Sequence, residues 1–192
     1  NINDAVGKLM KRHKFSDIVL AARWTYYMSG TKGDGTAERT QHYLQDDAVV
    51  AGSLSQNKEV LAAGLRRSIE AVVKRGARVW VVMEAPYIGR DVPNHLARKI
   101  IRGLPHETSY GPSVADYKAR GKVMEDMLAD LPVRTIDPTE ALCEAERCLA
   151  VAGGKPLYFD DDHLSIHGAD RLKPLLEEVV MASRTLSVRG GT

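Results

Sequence analysis

Apolar residues along this chain occur in two patterns, one with helical spacing and one in short continuous runs. At 57–75 they recur every three or four positions, which predicts an amphipathic helix. Continuous runs at 16–22, 78–83 and 132–137 predict short strands buried on both faces. Because helices and strands follow one another in turn, we expect an α/β fold, a three-layer α/β/α sandwich with a mostly parallel sheet.

The same periodicity predicts the remaining helices and suggests how the chain begins. Ser113 and Ser165 stand where helix N-terminal caps are expected. The chain opens without a Met and within a helical pattern, so we expect residues 1–192 to form a single domain truncated at its N-terminus. The further predicted helices cover 1–14, 93–102, 110–130, a part of 138–148, and 168–186.

Composition argues against nucleic-acid binding and against a membrane-spanning segment. A length of 192 residues suffices for one domain with a sizeable core. The net charge of +2 gives no case for nucleic-acid binding, and no apolar run approaches the roughly 20 residues that cross a bilayer. The glycine-rich stretch 29–39 lacks the spacing and terminal Lys-Ser/Thr of a phosphate-binding loop. We therefore interpret it as a flexible loop and expect no cofactor.

The segment around Asp160 and His163 carries the strongest chemical signal. An acidic residue three positions before a histidine, in a polar loop, can orient the imidazole and stabilise its charged form. We expect the ring to face a cleft where a hydroxyl nucleophile fits. No serine of the chain stands in a recognisable nucleophile setting. The alternative is an acidic surface loop in which Ser165 caps the following helix.

Metal binding is a rival interpretation of the same segment. His163 and His167 are four residues apart, as ligands on one helix face are. Ser165 and Gly168 indicate that the helix begins only after His163, so this geometry fails. We predict no metal site.

Two predicted strands end in residues that suit a substrate site. Arg23 and Trp24 follow the strand at 16–22, and Glu84 follows the strand at 78–83. Catalytic groups of parallel α/β folds lie beyond the carboxyl ends of strands. These residues are candidates for substrate contact or oxyanion stabilisation, while core packing of Trp24 and simple exposure of Glu84 are the alternatives.

Several segments together resemble one family, the SGNH (GDSL-like) domains fused to membrane acyltransferase-3 proteins, the carbohydrate O-acyltransferases of bacterial envelopes. The ending Asp-x-x-His-Leu-Ser at 160–165, preceded by a pair of cysteines, is the most specific of these segments. The others are 17–24, 81–86 with 91–93, 143–148, and 157–169.

The resemblance implies a role for each matching position. Asp160 and His163 would be the acid and base of a Ser-His-Asp triad. Cys143 and Cys148, whose spacing alone leaves open both free thiols and a disulfide, would form the local disulfide of the family and indicate the periplasm. Arg23 and Trp24 occupy the place where simpler members carry an oxyanion-forming Gly-x-Asn motif. The Asn is absent here.

The nucleophile of the resembled family, a serine in a Gly-Asp-Ser motif, is not in this chain. We expect it upstream, in the same parent polypeptide as a membrane acyltransferase domain at the periplasmic face of the inner membrane. The implied function is transfer of an acyl group, expected to be acetyl, from a donor to a glycan hydroxyl. The alternatives are a carbohydrate acetylesterase of the same fold and a degenerate glycan-binding or interaction domain.

Overall fold

The computed structural model describes residues 2–31, 43–45, 53–106 and 109–189, with side chains for all of these except 2–6, 109 and 183–189. The helices in these ranges are α1 (Ile2–Arg12), α2 (Trp24–Ser29), α3 (Leu54–Val73), α4 (Val92–Ile101), α5 (Val114–Leu128), α6 (Thr139–Leu142) and α7 (Ile166–Arg189). The strands are β1 (Asp17–Ala21), β2 (Arg78–Val82), β3 (Ser109–Ser113), β4 (Val133–Ile136), β5 (Cys143–Glu144), β6 (Arg147–Ala152) and β7 (Lys155–Pro156).

The three predicted strands form one parallel sheet in the order β1-β2-β4. Asp17 pairs in register with Arg78, and Val79 pairs with Val133. Because all three strands run in the same direction, their carboxyl ends meet at one edge of the sheet. That edge carries the segments that follow β1 and β2, as the sequence predicts.

Helices cover both faces of this sheet and make three layers. Strand side chains alternate, so Val79 and Val81 point to one face and Trp80 to the other. The first face packs against α3 and α5, where Ile69 and Met124 are fully buried. The opposite face packs against α7. The α/β architecture with helices around a parallel sheet is thus confirmed.

A small antiparallel sheet stands beside the parallel one, and the sequence analysis did not predict it. It has the order β3-β6-β5, and the short strand β7 also pairs with β6. Its core includes Leu149, Val151 and Tyr158, with Leu96 of α4. The prediction of helix within 138–148 holds only for α6, because the chain then turns into the β5-β6 hairpin. A short apolar run such as that of β6 is compatible with a buried strand and with a helix. Its pairing with β3 and β5 determines that it is a strand.

Most other predicted boundaries differ from the structure by one to four residues. Ser113 caps α5 as predicted, since its Oγ accepts from the Asp116 N–H at 3.0 Å. Residues 110–113, which were predicted as the first turn of this helix, belong to β3 instead. Most of the glycine-rich stretch 29–39 lies outside the described residues. None of the described helices combines the length and apolar character needed to cross a membrane.

Candidate active site

The loop 158–165 is closed on itself by backbone hydrogen bonds. The Phe159 N–H donates to the His163 carbonyl at 2.7 Å, and the Ser165 N–H donates to the Leu157 carbonyl at 3.0 Å. Ser165 Oγ then accepts from the Gly168 N–H at 3.2 Å, as a residue that caps the start of α7 does. The tight loop and the capped helix together fix the position of His163.

Asp160 and His163 are in direct contact. The His163 Nδ1–H donates to Asp160 Oδ2 at 2.8 Å. The other oxygen of Asp160 accepts from the backbone N–H groups of Asp162 at 2.9 Å and His163 at 2.8 Å. Both carboxylate oxygens therefore accept hydrogen bonds, and the imidazole keeps Nε2 available as a base. No described residue bonds to Nε2.

The environment of Asp160 favours its ionised form. Burial alone would raise the pKa of this carboxyl, but the N–H groups of Asp162 and His163 and the His163 ring lower it to about 2. Asp160 is therefore a carboxylate at neutral pH. A carboxylate in this position stabilises a positively charged imidazole.

Asp162 contributes a second carboxylate to the same nitrogen. Its Oδ1 lies 2.9 Å from His163 Nδ1, and its Oδ2 forms an ion pair with Arg23 Nη2 at 2.6 Å. The side chain is only 11% exposed. Burial raises the pKa of Asp162, and the nearby Arg23 and His163 oppose this rise. The ion pair links the end of β1 to the loop 158–165.

The His163 ring itself is more open than the sequence analysis expects. Its side chain is 64% exposed, and it is not among the residues that line the cavity beside Trp24 and Glu84. The ring is held from its Nδ1 side by Asp160 and Asp162. The rest of the side chain is largely exposed, and its role as a base stays a prediction.

Trp24 and Glu84 lie together rather than beside His163. Trp24 is buried, and its Nε1–H donates to the Val82 carbonyl at 2.8 Å. Glu84 Oε2 accepts from the Thr25 N–H at 3.1 Å and also from the Thr25 hydroxyl. Glu84 thus ties the end of β2 to the first turn of α2. Substrate contact by either side chain stays a prediction.

A pocket opens where these two residues meet α5. Its cavity volume is about 80 Å³, and its walls include Trp24, Glu84, Tyr87, Tyr117 and Arg120. Burial raises the pKa of Tyr117, and the neighbouring carboxylates of Asp137 and Glu84 raise it further, so the phenol stays protonated. The pocket is therefore lined by both aromatic and charged side chains at the expected edge of the sheet.

The cluster that holds His163 is also the one group of described side chains that could bind a metal ion. Donor atoms of Asp160, Asp162 and His163 lie within 4.8 Å of one another. These atoms already bond to Nδ1, to backbone N–H groups and to Arg23. His167 lies within α7 and His163 before it, as predicted from Ser165 and Gly168.

Cys143 and Cys148 form a disulfide bond between β5 and β6. The bond confirms the pairing that the family resemblance implied and that the spacing alone left open. It joins the two strands of a hairpin. No free cysteine is present.

Two contacts at the site were missed by sequence reasoning. Asp161 Oδ2 accepts from the Tyr87 hydroxyl at 3.2 Å. Asp162 contacts both Arg23 and His163. Three consecutive aspartates predict an acidic loop. The partner that each carboxylate contacts depends on the conformation of the folded loop.

Comparison with known proteins places the chain in a family. Residues 1–178 match the family model described as the SGNH domain fused to AT3 domains. The chain therefore belongs to the family of SGNH domains fused to AT3 domains. No curated protein sequence matches the chain.

A solved structure shares the fold. It is described as the periplasmic domain of a lipopolysaccharide acetyltransferase from Salmonella ser. Paratyphi A, with a TM-score of 0.61 and 15% sequence identity. The similarity covers 93% of this chain and 61% of that chain. The chain is thus similar to an acetyltransferase periplasmic domain and spans about three-fifths of its length.

Proposed function

We propose that this chain is the C-terminal part of the SGNH domain of an envelope O-acyltransferase, which transfers an acyl group, expected to be acetyl, to a glycan hydroxyl. The proposal rests on one observation above all, the 2.8 Å contact between Asp160 and His163 Nδ1 in a chain of this family. The acting serine belongs to a part of the parent polypeptide outside this chain. A membrane acyltransferase domain of that polypeptide supplies the acyl group, at the periplasmic face of the inner membrane.

The chemistry follows from the arrangement of the ring. The serine hydroxyl attacks the carbonyl carbon of the acyl donor while His163 Nε2 takes its proton. Asp160 stabilises the resulting imidazolium through Nδ1–H. The tetrahedral intermediate collapses to an acyl-serine, and His163 returns the proton to the leaving group. A glycan hydroxyl then attacks the carbonyl carbon of the acyl-serine while His163 Nε2 takes its proton. The second tetrahedral intermediate collapses by breaking the bond to the serine oxygen, which receives the proton back from Nε2, and the acylated glycan leaves.

One edge of β1 pairs with no other described strand, and this supports a contribution from outside the chain. Among the described strands, β1 pairs only with β2, and Val19 of β1 is half exposed. An apolar groove lined by Met10, Ile18, Leu20 and Val72 runs beside it. A further parallel strand at this edge would end level with Arg23, which pairs with Asp162. A residue at the end of such a strand would lie at the same edge of the sheet as Arg23, which the ion pair with Asp162 joins to the loop of His163.

Substitution of His163 in the complete parent protein tests the proposal. His163→Ala should lower glycan acylation by roughly 10²- to 10⁴-fold, because the base of both half-reactions is removed. His167→Ala is the matched control, since His167 lies four residues away in α7 and outside the cluster. Acylation is read by mass spectrometry of the glycan, and thermal unfolding checks that both variants fold. Acylation retained by His163→Ala would reject the proposal.

The esterase alternative uses the same residues with water as acceptor. Acetyl release from p-nitrophenyl acetate by the complete protein, with and without a sugar acceptor, separates the two. A transferase gives acylated sugar at the expense of free acetate when the acceptor is present. An esterase gives the same amount of free acetate in both cases.

A further inference from the structure

The end of α4 carries apolar side chains that nothing described in the chain covers. Val92 and Leu96 of this helix are buried in the core beside the antiparallel sheet. Ile100 continues their four-residue spacing but is 53% exposed, so the core ends before the helix does. Ile101 is 83% exposed, and Leu104, just after the helix, is 47% exposed. Contiguous exposed apolar side chains on a folded protein mark an interaction surface.

The same segment is basic. Arg98, Lys99 and Arg102 stand among these apolar residues, and none of them forms an ion pair with a described residue. The sequence 92–106 contains no aspartate or glutamate. Burial lowers the pKa of His95, one turn away, and the charges of Arg90, Lys99 and Arg98 lower it further. The end of α4 is therefore a site of positive potential.

We propose that this surface, residues 98–106 and hereafter the α4 tip, docks on a lipid bilayer that contains anionic phospholipids. Ile100, Ile101 and Leu104 enter the boundary between head groups and acyl chains. Arg98, Lys99 and Arg102 contact the phosphate groups. Anionic membrane surfaces bind protein surfaces that combine apolar and basic side chains in this way.

The charge of the α4 tip argues against another copy of this chain as the occupant. A symmetric contact would bring two equally basic patches together, and like charges at an interface oppose association. A bilayer with anionic head groups instead offers many phosphates to the three cations. Weak binding suffices for a domain fused to a membrane protein, because the tether keeps the surface close to the bilayer.

Co-sedimentation of the 192-residue chain with vesicles tests the proposal without requiring any acyl transfer. Vesicles of phosphatidylcholine and phosphatidylglycerol in equal parts should bind the chain, and vesicles of phosphatidylcholine alone should not. Raising the salt concentration should weaken binding. Arg98→Gln with Arg102→Gln should lower the partition coefficient roughly 30-fold, about fivefold for each charge. Ile100→Ser with Ile101→Ser should lower it roughly tenfold or more.

Matched variants elsewhere on the surface serve as controls. Val123→Ser with Val180→Ser removes exposed apolar side chains, and Lys118→Gln with Lys155→Gln removes two exposed charges, so both double variants should bind like the unchanged chain. Equal binding to both kinds of vesicle, or unchanged binding after the substitutions in the α4 tip, would overturn the proposal. Self-association in vesicle-free solution that the isoleucine substitutions abolish would assign the surface to a second copy and would also overturn it.

Discussion

The guanidinium of Arg23 forms an ion pair with the Asp162 carboxylate at 2.6 Å, and this pair joins the end of β1 to the loop that carries His163. The Arg23 side chain also lies over the Tyr26 ring, 4.4 Å from its centroid. The second oxygen of Asp162 lies 2.9 Å from His163 Nδ1. Arg23 thus acts on the imidazole through Asp162, and the orientation of the ring depends on two carboxylates rather than one.

Asp162→Asn should impair acyl transfer by the complete parent protein without unfolding it. The change removes one of the two negative charges beside Nδ1 and with it the ion pair with Arg23. A charge-assisted hydrogen bond of this kind is worth about 1.5–3 kcal/mol, roughly 10- to 100-fold in rate. Asp161→Asn is the matched control, since Asp161 contacts Tyr87 and not the ring. The measurement is kcat for glycan acylation. Equal rates for the two variants would show that Asp162 has no part in positioning His163.

The ionisation of Asp160 should make the free energy of unfolding decrease as the pH falls below about 4. Its folded-state pKa of about 2 lies below the ordinary value near 3.8, so its contribution is complete above that ordinary value and is lost as the pH falls toward 2. Asp160→Asn lacks this contribution, and its free energy of unfolding should depend less steeply on pH in that window. Chemical denaturation at a series of pH values measures the slope. A slope unchanged by Asp160→Asn, with Asp161→Asn as reference, would contradict the environment described for this carboxyl.

Gly168→Ala should destabilise the domain. A Cβ at Gly168 would overlap the Leu157 carbonyl oxygen and crowd Leu164, so α7 would have to shift from the loop 158–165 at a cost of roughly 1–3 kcal/mol. Gly64→Ala within α3 is the control, because its Cβ would meet only Arg67 at 3.8 Å. That change should stabilise the chain by up to about 1 kcal/mol. Urea denaturation compares the two. A neutral Gly168→Ala would mean that α7 does not pack closely on Leu157.

Loss of the disulfide between Cys143 and Cys148 should cost about 2 kcal/mol. The two residues are separated by 5 positions, and the entropy of closing so short a loop in the unfolded chain gives about this value. Urea denaturation with and without a reductant measures the difference. The Cys143→Ser, Cys148→Ser double variant should match the reduced chain and should not respond to reductant. A response to reductant in that variant would attribute the effect to something other than this bond.

The sequence predicts those helices and strands that are marked by a hydrophobic pattern within their own residues. The continuous apolar runs that became β1, β2 and β4 and the long periodic segment that became α3 were predicted, and their alternation implied a parallel sheet. The hairpin of β5 and β6 was not, because its apolar run is too short to distinguish strand from helix without knowing its partners. Pairing with β3, which is distant in sequence, determines that this run is a strand.

In the site too, contacts between residues close in sequence could be predicted and contacts between distant residues could not. Asp160 and His163 are three residues apart in one tight loop, so their contact follows from local geometry. The ion pair of Arg23 with Asp162 joins residues far apart in the chain, and only the assembled sheet edge brings them together. Glu84 and Thr25 meet for the same reason. Long-range polar contacts leave no periodic trace in a sequence, so their partners could not be named from it.

Nitrogen-15 NMR of the His163 ring in this chain is the most direct test of how the proposed base is held. Only carboxylate oxygens lie near Nδ1, and they can only accept, so in the neutral ring the proton should reside on Nδ1 and Nε2 should be bare. Asp160→Asn should weaken this preference. A neutral ring with its proton on Nε2, or one that exchanges freely between both forms, would contradict the account.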